Sequence, residues 1–215
     1  MSLLPLVLAT RNPGKARELA APLAARGFAV QLPPPAMPDV EETGGSFEEN
    51  ALLKARAAAA FTGLPALADD SGLEVDALGG EPGVRSARYA DDAPDARPDD
   101  ARAVRDARNN RKLLAALADP ALPRTARFRC CMALVRPDGT KADVVAHGVW
   151  EGSIATEPRG DGGFGYDPLF LDPASGRTAA ELALEEKKAR SHRGQALARL
   201  LDALDREPPA ESGGV

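Results

Sequence analysis

A turn in the second half of the chain places the strongest local constraint on what this sequence can fold into. Pro137-Asp138-Gly139-Thr140 contains residues that favour tight turns, and strand-forming stretches from Arg127 to Arg136 and from Ala142 to Trp150 flank it. Two such stretches joined by a short turn that contains glycine pair as antiparallel neighbours. The sequence therefore predicts a long β-hairpin.

The first third of the chain alternates between strand and helix patterns. Consecutive apolar residues predict buried strands, and apolar residues four apart, such as Leu19 and Leu23, predict a helix face. The predicted order is a strand at 6–10, a helix ending at Gly27, a strand at 28–32, and an alanine-rich helix that begins with a Ser46 and Glu49 capping box and ends at Gly63.

An acidic segment follows that helix. Leu64 to Ala68 predicts a strand and Leu73 to Leu78 a second one, which leaves Asp69-Asp70-Ser71-Gly72 as a loop at a strand end. Adjacent carboxylates in such a place repel one another unless they share a cation or a proton, and a hard divalent metal would relieve that repulsion. A solvated acidic turn is the alternative.

The rest of the chain is predicted to be mostly helical outside the hairpin. In chain order, the predictions are a solvated, charged insertion without chemistry from Ala90 to Arg108, a helix around 113–117, a charged helix after a Thr178 and Glu181 capping box, a last helix capped by Ser191, and a disordered tail at 207–215. Residues 1–206 are predicted to form a single domain.

Composition and charge limit the class of protein. The 215 residues are 44% hydrophobic, which allows a sizeable core without disulfides. Cys130 and Cys131 have no His or Cys partners at zinc-ligand spacing, so we expect reduced core residues, and we expect His147 to be structural. The net charge of −5 argues against a nucleic-acid partner. No apolar run reaches membrane-spanning length and no basic segment begins the chain, so we expect a cytoplasmic protein with no membrane partner.

The loop Thr10-Arg11-Asn12-Pro13-Gly14-Lys15 is a candidate phosphate site. It joins a predicted strand to a helix start, where backbone N–H groups and the helix dipole favour an anion, and Lys15 adds a positive charge. It is not a Walker A loop, because its first glycine is missing and Ala16 replaces the Ser or Thr after the lysine. A plain turn is the alternative.

Two further groups could serve phosphate chemistry. Glu41-Glu42 is a second acidic pair, and two carboxylate clusters near a phosphate loop suit a Mg²⁺-dependent enzyme. Asn50 and Lys54 lie four apart on one face of a predicted helix, where both could reach a phosphate. Solvated acidic turns and a solvated helix face are the alternatives.

Two segments near the C-terminus could hold a nucleobase. Gly162 to Asp167 combines a flexible backbone with two aromatic rings, which suits a stacked base and also a buried aromatic turn. Lys187 and Ser191-His192-Arg193-Gly194 add donors, and the charge of Arg193 disfavours protonation of His192, which predicts a neutral hydrogen-bonding role. The spacings contain no Ser/His/Asp or Cys/His set, which disfavours covalent catalysis.

Five motifs together carry a resemblance to a known family. In order, they are Thr10-Arg11-Asn12-Pro13-Gly14-Lys15, Phe47-Glu48-Glu49-Asn50-Ala51, Asp69-Asp70-Ser71-Gly72, Gly163-Phe164-Gly165-Tyr166-Asp167-Pro168 and Ser191-His192-Arg193-Gly194. In this order and approximate spacing, the chain resembles the inosine/xanthosine triphosphate pyrophosphatase family, the Ham1-like enzymes, from about Leu6 to Leu204. Its main departure is the longer, more charged segment from Asp91 to Arg108.

The resemblance implies a fold and an activity. The implied fold is α/β, with a long, twisted, mixed central β-sheet flanked by helices, two lobes with an active-site cleft between them, and a homodimer. The implied activity is Mg²⁺-dependent hydrolysis of ITP, dITP and XTP to the monophosphate and pyrophosphate. This activity removes non-standard purine nucleotides from the pool before they are incorporated into DNA and RNA.

The resemblance also implies roles for individual residues by motif match. Glu42 and Asp70 are expected to bind one or more Mg²⁺ ions per subunit, with Glu41 as the alternative to Glu42, and Asp70 is the expected proton acceptor for the attacking water. Triphosphate contacts are implied for Thr10, Arg11, Asn12, Pro13, Gly14, Lys15 and Lys187. Contacts in the substrate pocket are implied for Ser71, Phe164, Gly165, Tyr166, Asp167, His192 and Arg193.

The base preference follows from hydrogen bonding. A 6-oxo purine offers an acceptor where adenine offers a donor, so an N–H of Arg193 or His192 would pair with the former and stay unsatisfied by the latter. Guanine is also a 6-oxo purine, so its rejection depends on its 2-amino group. A pyrophosphatase of another base preference and a non-catalytic nucleotide-binding regulator are the alternatives. The aromatic and Ser-His-Arg segments argue against the first, and Asp69 with Asp70 against the second.

Overall fold

A computed structural model describes residues 3–139 and 141–207. The strands are β1 (Leu4–Leu8), β2 (Phe28–Gln31), β3 (Ala66–Val75), β4 (Thr125–Val135), β5 (Val144–Ile154) and β6 (Phe170–Leu171). The helices are α1 (Pro13–Ala25), α2 (Phe47–Thr62), α3 (Arg102–Ala116), α4 (Leu184–Arg190) and α5 (His192–Asp205).

The strands form one mixed sheet in the order β2-β1-β3-β4-β5-β6. β1 runs parallel to β2 and β3, and the remaining neighbours are antiparallel. Helix α2 packs on one face, while α1 and α5 pack on the other. The predicted α/β class with a mixed central sheet flanked by helices is confirmed, and so is the β4–β5 hairpin.

The hydrophobic core lies at two ends of the long strands. At the β1 end, apolar side chains fill both faces of the sheet, with Leu67 on one face and Ala68 on the other. At the opposite end, an aromatic cluster that includes Phe128, Trp150 and Phe170 packs between the sheet and α3. The middle of β3 lies between these two parts of the core.

The predicted loop at Asp69-Asp70-Ser71-Gly72 is wrong, because β3 runs through it without interruption. Each residue from Ala66 to Val75 pairs with a residue of β4, so Asp69 and Asp70 lie in the middle of a strand and not at its end. Ladder pairing outweighs the turn preference of Asp and Gly. Gly72 has a packing reason instead, since a Cβ there would lie 2.4 Å from the carbonyl oxygen of Gly83.

The prediction of a solvated insertion from Ala90 to Arg108 is wrong in its second half. Helix α3 begins at Arg102, and Arg108 is buried, where it pairs with Asp100 and Asp95. The segment contains few apolar residues, so the sequence lacks the periodicity by which an amphipathic helix is identified. The buried Arg108 is thus paired with a partly buried carboxylate of Asp100 and an exposed one of Asp95.

The predicted helix caps are mostly confirmed. The Ser46 hydroxyl accepts from the Glu49 N–H, although the Glu49 carboxylate accepts from Gly45 instead of Ser46. Ser191 caps α5. The box at Thr178 and Glu181 begins only a 3-10 turn, and α4 starts at Leu184.

Cys130 and Cys131 are buried free thiols, as predicted. Of the predicted tail, Glu207 accepts hydrogen bonds from Arg136 and Lys141, and 208–215 lie outside the described residues. In the described part of the chain, no helix combines the length and the apolar character needed to cross a membrane.

Candidate active site

A cavity of about 330 Å³ opens beside the middle of β3. The loop after β1 and helices α2, α3, α4 and α5 contribute to its walls, together with the glycine-rich loop before β6. Of the residues predicted for the site, those that line the cavity are Thr10, Arg11, Asn12, Lys15, Glu42, Asp70, Ser71, Phe164, Gly165, Tyr166, Asp167, Lys187, His192 and Arg193. Pro13 and Gly14 lie in the first turn of α1, outside this lining.

The candidate phosphate loop is held by its own side chains. The side-chain Oδ1 of Asn12 accepts from the backbone N–H groups of Gly14 and Lys15, at 2.9 and 3.4 Å, and caps α1. The hydroxyl of Thr10 accepts from the Asn12 N–H. The first N–H groups of the helix therefore bond to Asn12 in this structure, and the Lys15 ammonium is the cation that the loop presents to the cavity.

Arg11 lies at the rim of the cavity, away from Lys15. Its guanidinium donates to the Met37 carbonyl and pairs with Asp39 at 3.0 Å, and both charged side chains are exposed. Glu42 lines the cavity, whereas Glu41 is exposed outside the lining.

Asp69 is the anchor of a buried ion cluster. Its Oδ2 lies 3.0 Å from the Lys15 ammonium and 3.2 Å from Nε of Arg193. Burial alone would raise the pKa of this carboxyl, but the charges of Lys15 and Arg193 outweigh burial and hold it well below its usual range. Burial lowers the pKa of Lys15. Asp69 therefore stays ionised and fixes two cations.

Asp70 has a different environment, although it is the next residue. Successive side chains of a strand point to opposite faces, so Asp70 faces α2, where its two oxygens accept from Asn50 at 3.2 Å and from Lys54 at 2.9 Å. The two carboxylates therefore do not share one cation: Lys15 and Arg193 pair with Asp69, and Lys54 pairs with Asp70. Burial raises the pKa of Asp70, and the negative charge of Glu42 raises it further. Together they outweigh the positive charge of Lys54, which lowers it.

Lys54 joins Asp70 to Glu42. Its ammonium lies 2.9 Å from Oδ1 of Asp70 and 2.7 Å from Oε1 of Glu42. Burial opposes its charge, but the two carboxylates outweigh burial and raise its pKa. The charge of Lys54 in turn lowers the pKa of Glu42 despite its partial burial. Two carboxylates that contact one ammonium favour a positive charge at this position.

This arrangement fits a divalent metal of the hard class. Glu42 and Asp70 contribute carboxylate oxygens, which Mg²⁺ prefers, and both already face a single cation. Lys54 is long and flexible, so its ammonium can move to a neighbouring anion when another cation takes its place.

A second buried ion cluster lies behind the glycine-rich loop. The Lys187 ammonium lies 2.6 Å from Asp167 and 2.9 Å from Glu18, and Arg193 lies 2.6 Å from the other oxygen of Glu18. Burial alone would raise the pKa of Glu18, but Arg193 and Lys187 lower it. Burial outweighs Lys187 at Asp167 and raises the pKa of that carboxyl. Helices α1, α4 and α5 are thereby joined.

An aromatic wall closes one side of the cavity. Phe164 packs against Gly14, and its ring centroid lies 4.9 Å from the Lys187 ammonium and 5.6 Å from the Arg193 guanidinium. Tyr166 is buried and donates to the carbonyl of Ser86 at 2.9 Å. This wall offers a flat apolar surface beside buried cations.

His192 presents an unsatisfied polar atom. It lines the cavity and stacks on Phe128 at 4.7 Å, and its Nδ1 is buried with no hydrogen-bond partner among the described residues. Burial and then the charge of Arg193 lower its pKa well below the usual value, the direction that the sequence predicts for a neutral imidazole. Arg193 donates to Asp69, Glu18 and the Ser71 hydroxyl, so three of its five N–H groups are already used.

Comparison with known proteins decides the family. A family model described as the Ham1 family matches residues 6–203, nearly the whole described chain. The chain belongs to the Ham1 family.

Similar proteins match this Ham1 chain over most of its length. A dITP/XTP pyrophosphatase of Nitratidesulfovibrio vulgaris is 61% identical over 201 residues, covering 92% of this chain and 94% of that protein. One from Escherichia coli O157:H7 is 53% identical, covering 93% and 97%. The structure of a HAM1 protein from Coxiella burnetii has a TM-score of 0.79 at 48% identity, covering 95% of this chain and 100% of that one.

Among the charged residues in or behind this Ham1-family cavity, Arg102 and Asp106 of the lining and Glu18 behind it were not predicted from the sequence. Glu18 was missed because a single acid on a predicted helix has no local signal for burial. Arg102 and Asp106 were missed because their segment was interpreted as solvated. In the structure Asp106 accepts from the Gly165 N–H at 2.9 Å, and the Arg102 guanidinium lies 5.3 Å from the Phe164 ring centroid. Only knowledge of which side of α3 is buried could have indicated Arg102 and Asp106.

Proposed function

We propose that this Ham1-family protein hydrolyses dITP, ITP and XTP to the monophosphate and pyrophosphate, with Mg²⁺ as its metal. Relatives named dITP/XTP pyrophosphatase at 51–61% identity support the substrate class. The observation that carries the chemistry is the pair of carboxylates of Glu42 and Asp70 around one positive charge, in a cavity that also contains Lys15.

The residues divide the reaction between them. Mg²⁺, held by Glu42 and Asp70, would supply charge neutralisation of the triphosphate. Lys15 and Lys54 add positive charge on that side of the cavity. Asp70 is the proposed base that orients and deprotonates the attacking water, because burial raises its pKa and makes it a better proton acceptor than an exposed carboxylate.

The base would lie against the aromatic wall. Phe164 offers the stacking surface, and the buried Nδ1 of His192 is a polar atom without a partner. The Arg193 guanidinium lies 5.6 Å from the centroid of that ring and is held in place by Asp69 and Glu18. A 6-oxo group would accept a hydrogen bond from His192 or Arg193. The 6-amino group of adenine is a donor, so it would face other donors and form no hydrogen bond with them.

The wider role follows from the activity. The protein would remove non-standard purine nucleotides from the cytoplasmic pool before polymerases incorporate them into DNA and RNA. We also propose a homodimer, which size-exclusion chromatography with light scattering tests directly.

The experiment that tests the proposal is pyrophosphate release from a matched panel of triphosphates, with and without Mg²⁺. The panel contains the inosine, deoxyinosine, xanthosine, guanosine, adenosine and uridine forms. We expect metal-dependent turnover that is strongly selective for the first three, with the monophosphate as co-product.

Other outcomes point to specific alternatives. Selective turnover of a different triphosphate would move the assignment to an altered base pocket on the same phosphate machinery. Nucleotide binding without any turnover would support a non-catalytic regulator. Release of inorganic phosphate instead of pyrophosphate would exclude cleavage between the α- and β-phosphates.

A further inference from the structure

A polar row crosses the sheet beneath α2. Asp70, Cys131 and His147 are direct partners on the adjacent strands β3, β4 and β5, so their side chains lie on the same face. At the inner end of the row, Asp70 accepts from Asn50 and Lys54 of α2. At the outer end, His147 meets the first turn of the same helix.

The outer end of this row brings together three different metal-ligand types. The Nε2 of His147 lies 3.1 Å from a carboxylate oxygen of Glu48, and the Cys131 sulfur, the imidazole and the carboxylate all have ligand atoms within 4.8 Å of one another. Cys131 is fully buried, while the His147 and Glu48 side chains are 56% and 50% exposed. The group is therefore open to solvent on one side only.

We propose that Glu48, Cys131 and His147 form a binding site for a zinc-class divalent cation. Thiolate, imidazole and carboxylate are the three ligand types that Zn²⁺ uses, and water from the open side supplies a fourth position. Donor atoms around a tetrahedral zinc lie about 3.5 Å apart. Side-chain movements of about 1 Å would therefore bring the three ligand atoms to the distances that zinc requires. The site is separate from the proposed function and does not depend on it.

The chemistry of binding is a proton exchange. Burial raises the pKa of the Cys131 thiol to about 12, with Glu48 adding to the effect, so the free site holds a protonated sulfur. A bound cation replaces that proton, a metal–sulfur bond forms, and the proton leaves to solvent. The thiol and the imidazole also give this site a different metal preference from the carboxylate pair of Glu42 and Asp70, because soft and borderline ligands disfavour Mg²⁺.

The probe is Co²⁺, which reports thiolate ligation by a sulfur-to-metal absorption band, followed by Zn²⁺ in calorimetry. Both titrations use the whole protein in excess Mg²⁺, so that the carboxylate pair is occupied by its own metal. We expect one Zn²⁺ per chain and a Co²⁺ band that Zn²⁺ removes. Binding is expected to weaken by at least about tenfold in Cys131→Ser and in His147→Ala, the latter an exposed position at which folding is not at risk.

Matched controls are available in the neighbouring residues. Cys130→Ser removes the other buried thiol, which faces the opposite side of the sheet near Asp69, and Glu49→Gln removes the next carboxylate of α2. Both are expected to retain the band and the Zn²⁺ affinity. Absence of a sulfur band in the wild type, equal binding by His147→Ala, or loss of the band in Cys130→Ser alone would each overturn the proposal.

Discussion

Two adjacent aspartates of β3 show how one residue's place decides its chemistry. Asp69 lies between Lys15 and Arg193, and these charges keep it ionised. Asp70 points to the other face, where burial and the nearby Glu42 raise its pKa. Adjacent residues of the same type therefore have different environments, which suit the first as an anchor and the second as the proposed proton acceptor.

We expect Asp70→Asn to lower kcat by at least about a hundredfold while nucleotide binding changes little, because the amide keeps the size but cannot accept the proton. Single-turnover kinetics and equilibrium binding of the same nucleotide separate the two effects. The matched variant is Asp69→Asn, for which we expect a loss of stability in chemical denaturation, since Lys15 and Arg193 lose their shared partner. Unchanged turnover in Asp70→Asn would contradict the assignment.

Gly14 is a second position at which one atom matters. A Cβ there would lie 2.4 and 2.5 Å from two carbons of the Phe164 ring, so the ring has to move. We expect Gly14→Ala to cost about 1–3 kcal/mol of stability through overpacking and to raise KM for the nucleotide.

A double-mutant cycle with Phe164→Ala tests this cause. The stability cost of Gly14→Ala is expected to fall by most of its value when the ring is absent, as measured by urea denaturation of all four proteins. An equal cost in both backgrounds would show that Gly14 acts through the helix backbone instead of the ring.

At the scale of elements, α3 contributes more to the cavity than its charged sequence indicates. Asp106 holds the backbone of Gly165, and Arg102 lies over the outer face of the Phe164 side chain while its Nε has no hydrogen-bond partner among the described residues. Arg102 also forms an ion pair with Asp106 at 3.6 Å, and its guanidinium lines the cavity, where it can donate to an anionic or carbonyl-bearing ligand.

We expect Arg102→Ala to raise KM about three- to tenfold with little change in kcat, which is the pattern of lost binding common to ground state and transition state. Arg105→Ala, one turn along the same helix and outside the cavity lining, is the control and is expected to match the wild type. Steady-state kinetics of the preferred triphosphate measure both variants. A fall in kcat at constant KM would assign Arg102 to the chemical step instead.

At the scale of the whole molecule, buried ions connect helices that are distant in sequence. Glu18 of α1 bridges Lys187 of α4 and Arg193 of α5, and all three side chains are almost fully buried. Such pairs are costly to desolvate, so their removal one partner at a time is strongly destabilising. Lys187 and Arg193 of this cluster lie next to the Phe164 ring, so the cluster supports the aromatic wall of the cavity.

We expect Glu18→Gln to lower the free energy of unfolding by about 3 kcal/mol at pH 7. This value is at the lower end of the range for a broken buried ion pair, because Lys187 still pairs with Asp167 and Arg193 with Asp69. The pKa of Glu18 is lowered in the folded state. The stabilisation that its charge provides is therefore complete at pH values above the pKa of the unfolded state, and it is lost as the pH falls through the pKa of the folded state. The difference from wild type is therefore expected to shrink below about pH 4.

Urea denaturation of both proteins between pH 7 and pH 3 measures this difference. Glu157→Gln, an exposed carboxylate, is the control and is expected to change stability by less than about 0.5 kcal/mol. A pH-independent difference would show that Glu18 acts through packing and not through its charge.

Local signals in the sequence predicted the hairpin, the caps at Ser46 and Ser191, and the strand–loop–helix start, because each depends on residues close together in the chain. Of the sixteen residues predicted for the site from the motifs and the family resemblance, fourteen line the cavity. The continuous strand through Asp69 and Asp70, the charged helix α3 and the buried position of Glu18 were decided by tertiary structure. Pairing with β4 outweighs turn preference at Asp69 and Asp70, and ion pairs with Lys187 and Arg193 offset the cost of burying Glu18, since these partners are far away in the sequence.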